Sequence, residues 1–170
     1  MFAFRIFALP RSGSTWAANW LTDGRSLCWH DPCEWAYPED IERWAAGFTM
    51  PAGICCTGSW VHDWPLPAVP TFALERPIGE VQDSLQRLGL PRLPERLLEA
   101  FAALPYPRVT LERLLDPEGA SELYRTILPG LQFDKLRHGW LAKMNVQPSV
   151  AEIDRVKAAM VHTGGFQCLG

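Results

Sequence analysis

"FAFRIFALPRSGSTWAANW", residues 2–20, sets how the rest of the chain is read. Phe2–Leu9 is dense in aromatic and apolar side chains, the composition of a buried strand. Pro10, Arg11, Ser12 and Gly13 interrupt it. Ser14–Thr22 then reads as a helix, with a stop at Asp23-Gly24. A loop that leads into a helix start collects unpaired backbone N–H groups and the positive end of the dipole, which suits an anion. Gly13 lets the backbone approach a ligand closely. Ser12, Ser14 and Thr15 add hydroxyl donors, and Arg11 adds a fixed charge.

Outward from this junction the pattern repeats. "SLCWHDP", 26–32, reads as a second short strand running into a turn at Asp31-Pro32. "PEDIERWAAGF" reads as a helix from about Glu39, and "GICCTGS", 53–59, as a third strand. A Pro-broken loop follows, and then "TFALE", 71–75, a fourth strand ended by Arg76-Pro77. Gly79–Leu88 and "PERLLEAFAAL" read as helices. "RVTLERLL", 108–115, opens as a strand, with helix from there to about Lys143. Ser149-Val150-Ala151-Glu152 is a capping-box pattern ahead of a C-terminal helix over about 149–163. Strands alternating with helices predict an α/β fold, three-layer α/β/α with a central parallel sheet. The expected organisation is one domain over 1–170, with its core in 1–145. Sites in such sheets lie beyond the carboxyl ends of the strands. The loops after Leu9, Trp29, Thr57 and Glu75 all fall at that edge.

Bulk composition narrows the function classes. With 170 residues, 48% hydrophobic, the chain can bury a real core without metal or disulfide help. Net charge is −3, and the 16 basic residues form no stripe, which argues against duplex nucleic acid as a partner. The cysteines (Cys28, Cys33, Cys55, Cys56 and Cys168) are odd in number and contain no C-x-x-C, so neither a disulfide framework nor a zinc cluster is expected. Free thiols fit a reducing, cytoplasmic setting. A strand starting at about Phe2 leaves no room for a signal peptide, and no apolar run approaches a membrane span. Seven of the eight Trp residues precede residue 65, and Trp29, Trp35, Trp60 and Trp64 fall in connections, where such rings often line cavities.

The opening loop lacks G-x-x-x-x-G-K-[ST], so the lysine that would reach a γ-phosphate is missing and ATP and GTP are weak candidates. Pro10-Arg11-Ser12-Gly13-Ser14-Thr15-Trp16 instead resembles, residue by residue, the 5′-phosphosulfate loop of the sulfotransferases. These enzymes use 3′-phosphoadenosine 5′-phosphosulfate (PAPS) and share a P-loop-like fold. Their loop reads P-[KR]-S-G-[ST]-T-[WL] after the first strand. In the cytosolic branch the Trp, here Trp16, stacks on the adenine. A second motif, R-[DN]-P-x-[DE]-V-x-x-S, holds the 3′-phosphate in that family. This chain has "ERPIGEVQDS", with Arg76 at a strand end and Ser84 eight residues later. Pro77 follows the Arg directly, one residue early, but the Arg-to-Ser spacing is kept. The chemistry stands without the likeness. Arg gives bidentate, charge-assisted bonds to phosphate, and a Ser two helical turns on can face the same cavity. "VTLERLLDP", 109–117, is a weaker echo of the family's v-x-Y-E-D-L segment, with Glu112 at the acidic position. The family's C-terminal R-K-G-x-x-G segment is not visible in "HTGGFQCLG".

The resemblance implies transfer of a sulfuryl group from PAPS to a hydroxyl or amine, leaving 3′-phosphoadenosine 5′-phosphate (PAP). Arg11, Ser12, Gly13, Ser14, Thr15, Trp16, Arg76 and Ser84 would hold the cofactor. Arg11 would also act catalytically by charge alone, because it stays protonated. The general base would be Asp31, in a "CWHDP" turn like the family's "HEP", or His62 after the third strand, with His30 and Glu34 behind. No metal is implied. The acceptor would be a small molecule or a saccharide. Two other readings stay open: a non-catalytic nucleotide-binding or structural module, and a P-loop kinase of unusual loop sequence.

Overall fold

A computed structural model describes residues 2–32, 37–58 and 68–144. Five strands are present among these residues: β1 (Phe2–Ala8), β2 (Leu27–His30), β3 (Ala52–Thr57), β4 (Thr71–Glu75) and β5 (Arg108–Thr110). They form one all-parallel sheet in the order β2-β3-β1-β4-β5. The helices are α1 (Ser14–Trp20), α2 (Pro38–Ala46), α3 (Ile78–Arg87), α4 (Glu95–Ala102), α5 (Leu111–Leu115), α6 (Pro117–Ile127) and α7 (Lys135–Lys143).

The apolar density of β1 follows from its place at the centre. Successive strand side chains point to opposite faces, so a strand covered on both sides needs apolar residues at nearly every position. Phe4, Ile6 and Ala8 enter a core with Trp16, Trp20 and Leu21 of the α1 segment and with Leu114, Tyr124 and Ile127. Phe7 enters a second core on the other face, with Ile41 of α2, Ile54, Ala73 and Leu104. Each such large side chain contributes roughly 1.5–3 kcal/mol by leaving water. Helices thus cover both faces, which is consistent with a three-layer arrangement.

The strand order also places a switch point. From β1 the chain crosses to β2 on one side; from β4 it passes to β5 on the other. The carboxyl ends of β1 and β4 are neighbours, with Ala8 beside Leu74, so a crevice opens between their loops.

Some expected boundaries differ. The long helical reading to Lys143 resolves into α5, α6 and α7. Asp116 is extended (φ −75°, ψ 127°) ahead of Pro117 and caps α6 by accepting from Gly119 N–H. A second break spans 128–134, around Pro129-Gly130, before Asp134 caps α7. Trp29, grouped with the Trp residues of the connections although it falls in the expected second strand, lies in β2. The predicted C-terminal helix lies outside the described residues. No helix among the described residues is long and apolar enough to cross a membrane.

Candidate functional site

The loop after β1 is a tight turn closed by Ser12 N–H donating to the Leu9 carbonyl at 3.2 Å. Arg11 takes φ 70° and Gly13 φ 91°, both left-handed. At Gly13 only glycine is comfortable. A Cβ there would stand 2.6 Å from Leu111 Cδ1, the first residue of α5. For Arg11 that backbone is strained, and its surroundings hold it. Its Nε donates to Ser84 Oγ at 3.0 Å, and its carbonyl accepts from Arg76 Nη1 at 3.1 Å. Two segments that read separately in the sequence, 65 and 73 residues apart, therefore close on one another.

Arg76 comes off the end of β4 and pairs with Glu80 one turn into α3, Nε to Oε2 at 2.9 Å. Ser84, on the same helix, is buried. The Arg11 guanidinium is pulled below its ordinary range, by burial first and then by the like charges of Arg76 and Arg87. Such a group of cations is relieved by an anion. Ser12 adds a second sign. Its side chain is fully buried and its Oγ has no hydrogen-bond partner in the structure. Buried hydroxyls are normally partnered, and this one keeps its bonding capacity unused beside the Arg11 turn. Beside Arg76 a cleft of about 620 Å³ runs between Leu9, Ile78, Leu98, Phe101, Arg108 and Glu112.

The end of β2 is built differently. Asp31 also sits in the left-handed region, φ 47°, which Asp and Asn tolerate better than most residues. Its Oδ1 accepts from Thr57 N–H and its Oδ2 from Thr57 Oγ1 at 2.9 Å, tying the ends of β2 and β3 together. Burial pushes its carboxyl up, against the smaller opposing pull of His30 and the Thr57 hydrogen bonds. His30 reaches α1 instead: its Nε2 lies 2.9 Å from Ser14 Oγ and 3.4 Å from Thr15 Oγ1. Asp31 Oδ2 stands 3.4 Å from the same nitrogen. A Ser-His-Asp hydrolase triad needs its carboxylate on the opposite ring nitrogen, so this arrangement is not one.

The structure therefore brings together Arg11, Ser12, Gly13, Arg76 and Ser84, and links Ser14 and Thr15 to His30. Trp16 is separated from them. It is 5% exposed, its Nε1 donates to the Leu141 carbonyl at 2.9 Å, and its ring stacks on Trp20 and meets His138 edge-on. Its ring surface is spent on the core, where an adenine would have to compete with α7. His62 and Glu34 lie outside the described residues, as do Trp35, Trp60 and Trp64. Trp29 does line an open groove of about 560 Å³ with Trp44 and Phe48. Sequence reasoning gave little weight to His30 and none to Leu111 or Thr57. Leu111 carries no polar signal, and Thr57 gains its role only once β2 and β3 are known to be neighbours. Among the described residues no group of three His, Cys, Asp or Glu could hold a metal ion. No family model, curated protein or solved structure matches the chain.

Proposed function

We propose that the chain binds PAPS across the crevice between β1 and β4 and transfers its sulfuryl group to a hydroxyl or amine of a small molecule or saccharide. One observation carries this reading. Arg11, Arg76 and Ser84 converge beside a buried hydroxyl, Ser12, that has no partner. That donor set fits the anionic groups of a bisphosphorylated nucleotide. Loop 10–15 would hold the 5′-phosphosulfate, and Arg76 with Ser84 the 3′-phosphate. The cleft beside Arg76 has apolar walls for the nucleoside.

PAPS supplies a sulfuryl group already activated by its bond to phosphate. The sulfur–oxygen bond to that phosphate breaks, a bond from sulfur to the acceptor oxygen or nitrogen forms, and the acceptor proton passes to a base. The protein's share is position and charge. Arg11, held by Ser84 and Arg76, would supply positive charge to the leaving oxygen. Of the base candidates within the described residues, His30 is partly open at the loop. Asp31 already accepts two hydrogen bonds from Thr57. The engagement of Asp31 favours a second reading, a nucleotide-binding module without turnover.

Calorimetric titration with PAP, using ATP and AMP as controls, tests the reading. Micromolar PAP binding, about −8 kcal/mol, without binding of the controls, supports it. Arg76→Ala should weaken PAP by roughly ten- to a hundredfold, the loss of a charged hydrogen bond. Failure of PAP to bind, or preferential magnesium-dependent ATP binding, removes it. Turnover of PAPS then separates the enzyme from the binding module.

A further inference from the structure

We infer that His30 is a positioning residue: through Nε2–H it holds Ser14 Oγ as an acceptor, turning the serine's own hydrogen toward an anion in the loop and linking anion binding to histidine protonation. The inference rests on the reading of loop 10–15 as an anion site. Its basis is which atoms share one ring nitrogen. Ser14 Oγ stands 2.9 Å from Nε2, and Asp31 Oδ2 3.4 Å from it. A carboxylate oxygen beside Nε2 disfavours a lone pair there and selects the tautomer with the proton on Nε2. Asp31 is itself fixed, because Thr57 donates to both of its oxygens. With Nε2 donating, Ser14 must accept. A hydroxyl that accepts from one side keeps its hydrogen for another. The chain of contacts runs from Thr57 on β3 through Asp31 and His30 to Ser14 on α1.

Protonation strengthens the arrangement. A charged imidazole still donates through Nε2 and brings a positive charge to the loop, so anion and proton each favour the other's binding. The groups that meet His30 admit this coupling. Asp31, one residue on, is the facing carboxylate. From β3, Cys55 is its register partner, and burial holds that thiol well above its ordinary range and neutral. α1 faces it with the hydroxyls of Ser14 and Thr15. Arg11, in the loop ahead of α1, carries a charge that does not titrate here.

The test uses the full chain, with PAP and inorganic pyrophosphate as separate probes, between pH 8 and about 5.5, the range in which histidine changes charge. Wild-type affinity should tighten as pH falls. His30→Ala should bind roughly three- to tenfold more weakly at pH 8, the equivalent of one hydrogen bond, and should lose the pH-dependent gain. His30→Gln places an amide N–H near the position of Nε2 and should recover the pH 8 affinity without the pH-dependent gain. Ring nitrogen chemical shifts should report the Nε2-protonated tautomer. An Nδ1-protonated ring, unchanged affinity in His30→Ala, or a pH gain that persists in His30→Gln overturns the inference. The two readings fail separately. If pyrophosphate binds with this His30 dependence and PAP does not, the inference stands and PAPS is the wrong ligand. If PAP binds and His30 is indifferent, the ligand stands and the inference falls. If neither probe binds, both fall.

Discussion

At the carboxyl end of β4, groups from two segments of the chain meet, and one buried hydroxyl among them is left without a partner. Burial, and then the like charges of Arg76 and Arg87, pull the Arg11 guanidinium below its ordinary range, and the Ser12 hydroxyl is buried without a partner. At the carboxyl end of β2 the polar groups answer each other. Asp31 closes on Thr57, and His30 on Ser14. Both places lie at one edge of one sheet, and both use a residue in the left-handed region. What differs is the sign of the charge gathered there and whether each buried hydroxyl has a partner. A carboxylate that already accepts two hydrogen bonds is part of the frame; a cation cluster with an orphan hydroxyl is a place for something else.

The sharpest way to break this contrast is at Gly13, where a side chain would disturb the cation side alone. Gly13→Ala meets both a positive φ and Leu111, and should lower stability by about 1–3 kcal/mol in urea unfolding, with PAP binding lost. Adding Leu111→Ala should relieve the clash and leave the backbone strain, so part of the loss should return. If Gly13→Ala is as stable as wild type, the packing of the loop against α5 is misread.

On the other side, Asp31→Ala strands the N–H and hydroxyl of Thr57 and should cost about 1–3 kcal/mol for each group left without a partner. Asp31→Asn keeps an oxygen for the N–H and tolerates the left-handed backbone, so it should cost much less. It also fixes a pH dependence. Burial raises Asp31 above the ordinary 3.8 of a free carboxyl. Between the unfolded and folded values the native state holds more proton than the unfolded chain, so wild-type stability falls as pH rises through that window. Asparagine does not titrate. Unfolding curves should therefore show Asp31→Asn gaining on wild type from about pH 4 upward. A gap that widens with rising pH would mean the Thr57 hydrogen bonds outweigh burial.

The smallest effect on the fold is expected at Ser12. Ser12→Ala removes a buried hydroxyl that bonds to nothing in the structure, so stability should stay within about 0.5 kcal/mol or improve slightly. PAP affinity should nonetheless fall by roughly three- to tenfold. A clear loss of stability with unchanged affinity would place Ser12 with the frame rather than the ligand.

Much of this was legible along the chain because it is local. The apolar run of β1, the interruption at 10–13, and the strand-end Arg76 with Ser84 two turns on are each written in consecutive residues. Period and spacing carry them. The break at Asp116-Pro117 was also written there, in the extended bias a proline imposes on the residue before it, but an apolar, helix-favouring stretch on either side masked it. The resemblance assigns Trp16 to an adenine, and only the position of α7 shows that its N–H bonds the Leu141 carbonyl while its ring stacks on Trp20.

The sequence by itself determined a parallel α/β sheet with its polar loops gathered at one edge, because alternation of strands and helices forces every strand end to the same side. Tertiary structure alone decided which of those loops touch. The order β2-β3-β1-β4-β5 sets Arg76 against Arg11 and Asp31 against Thr57, and strand order depends on contacts between residues far apart in the chain, which no local spacing encodes.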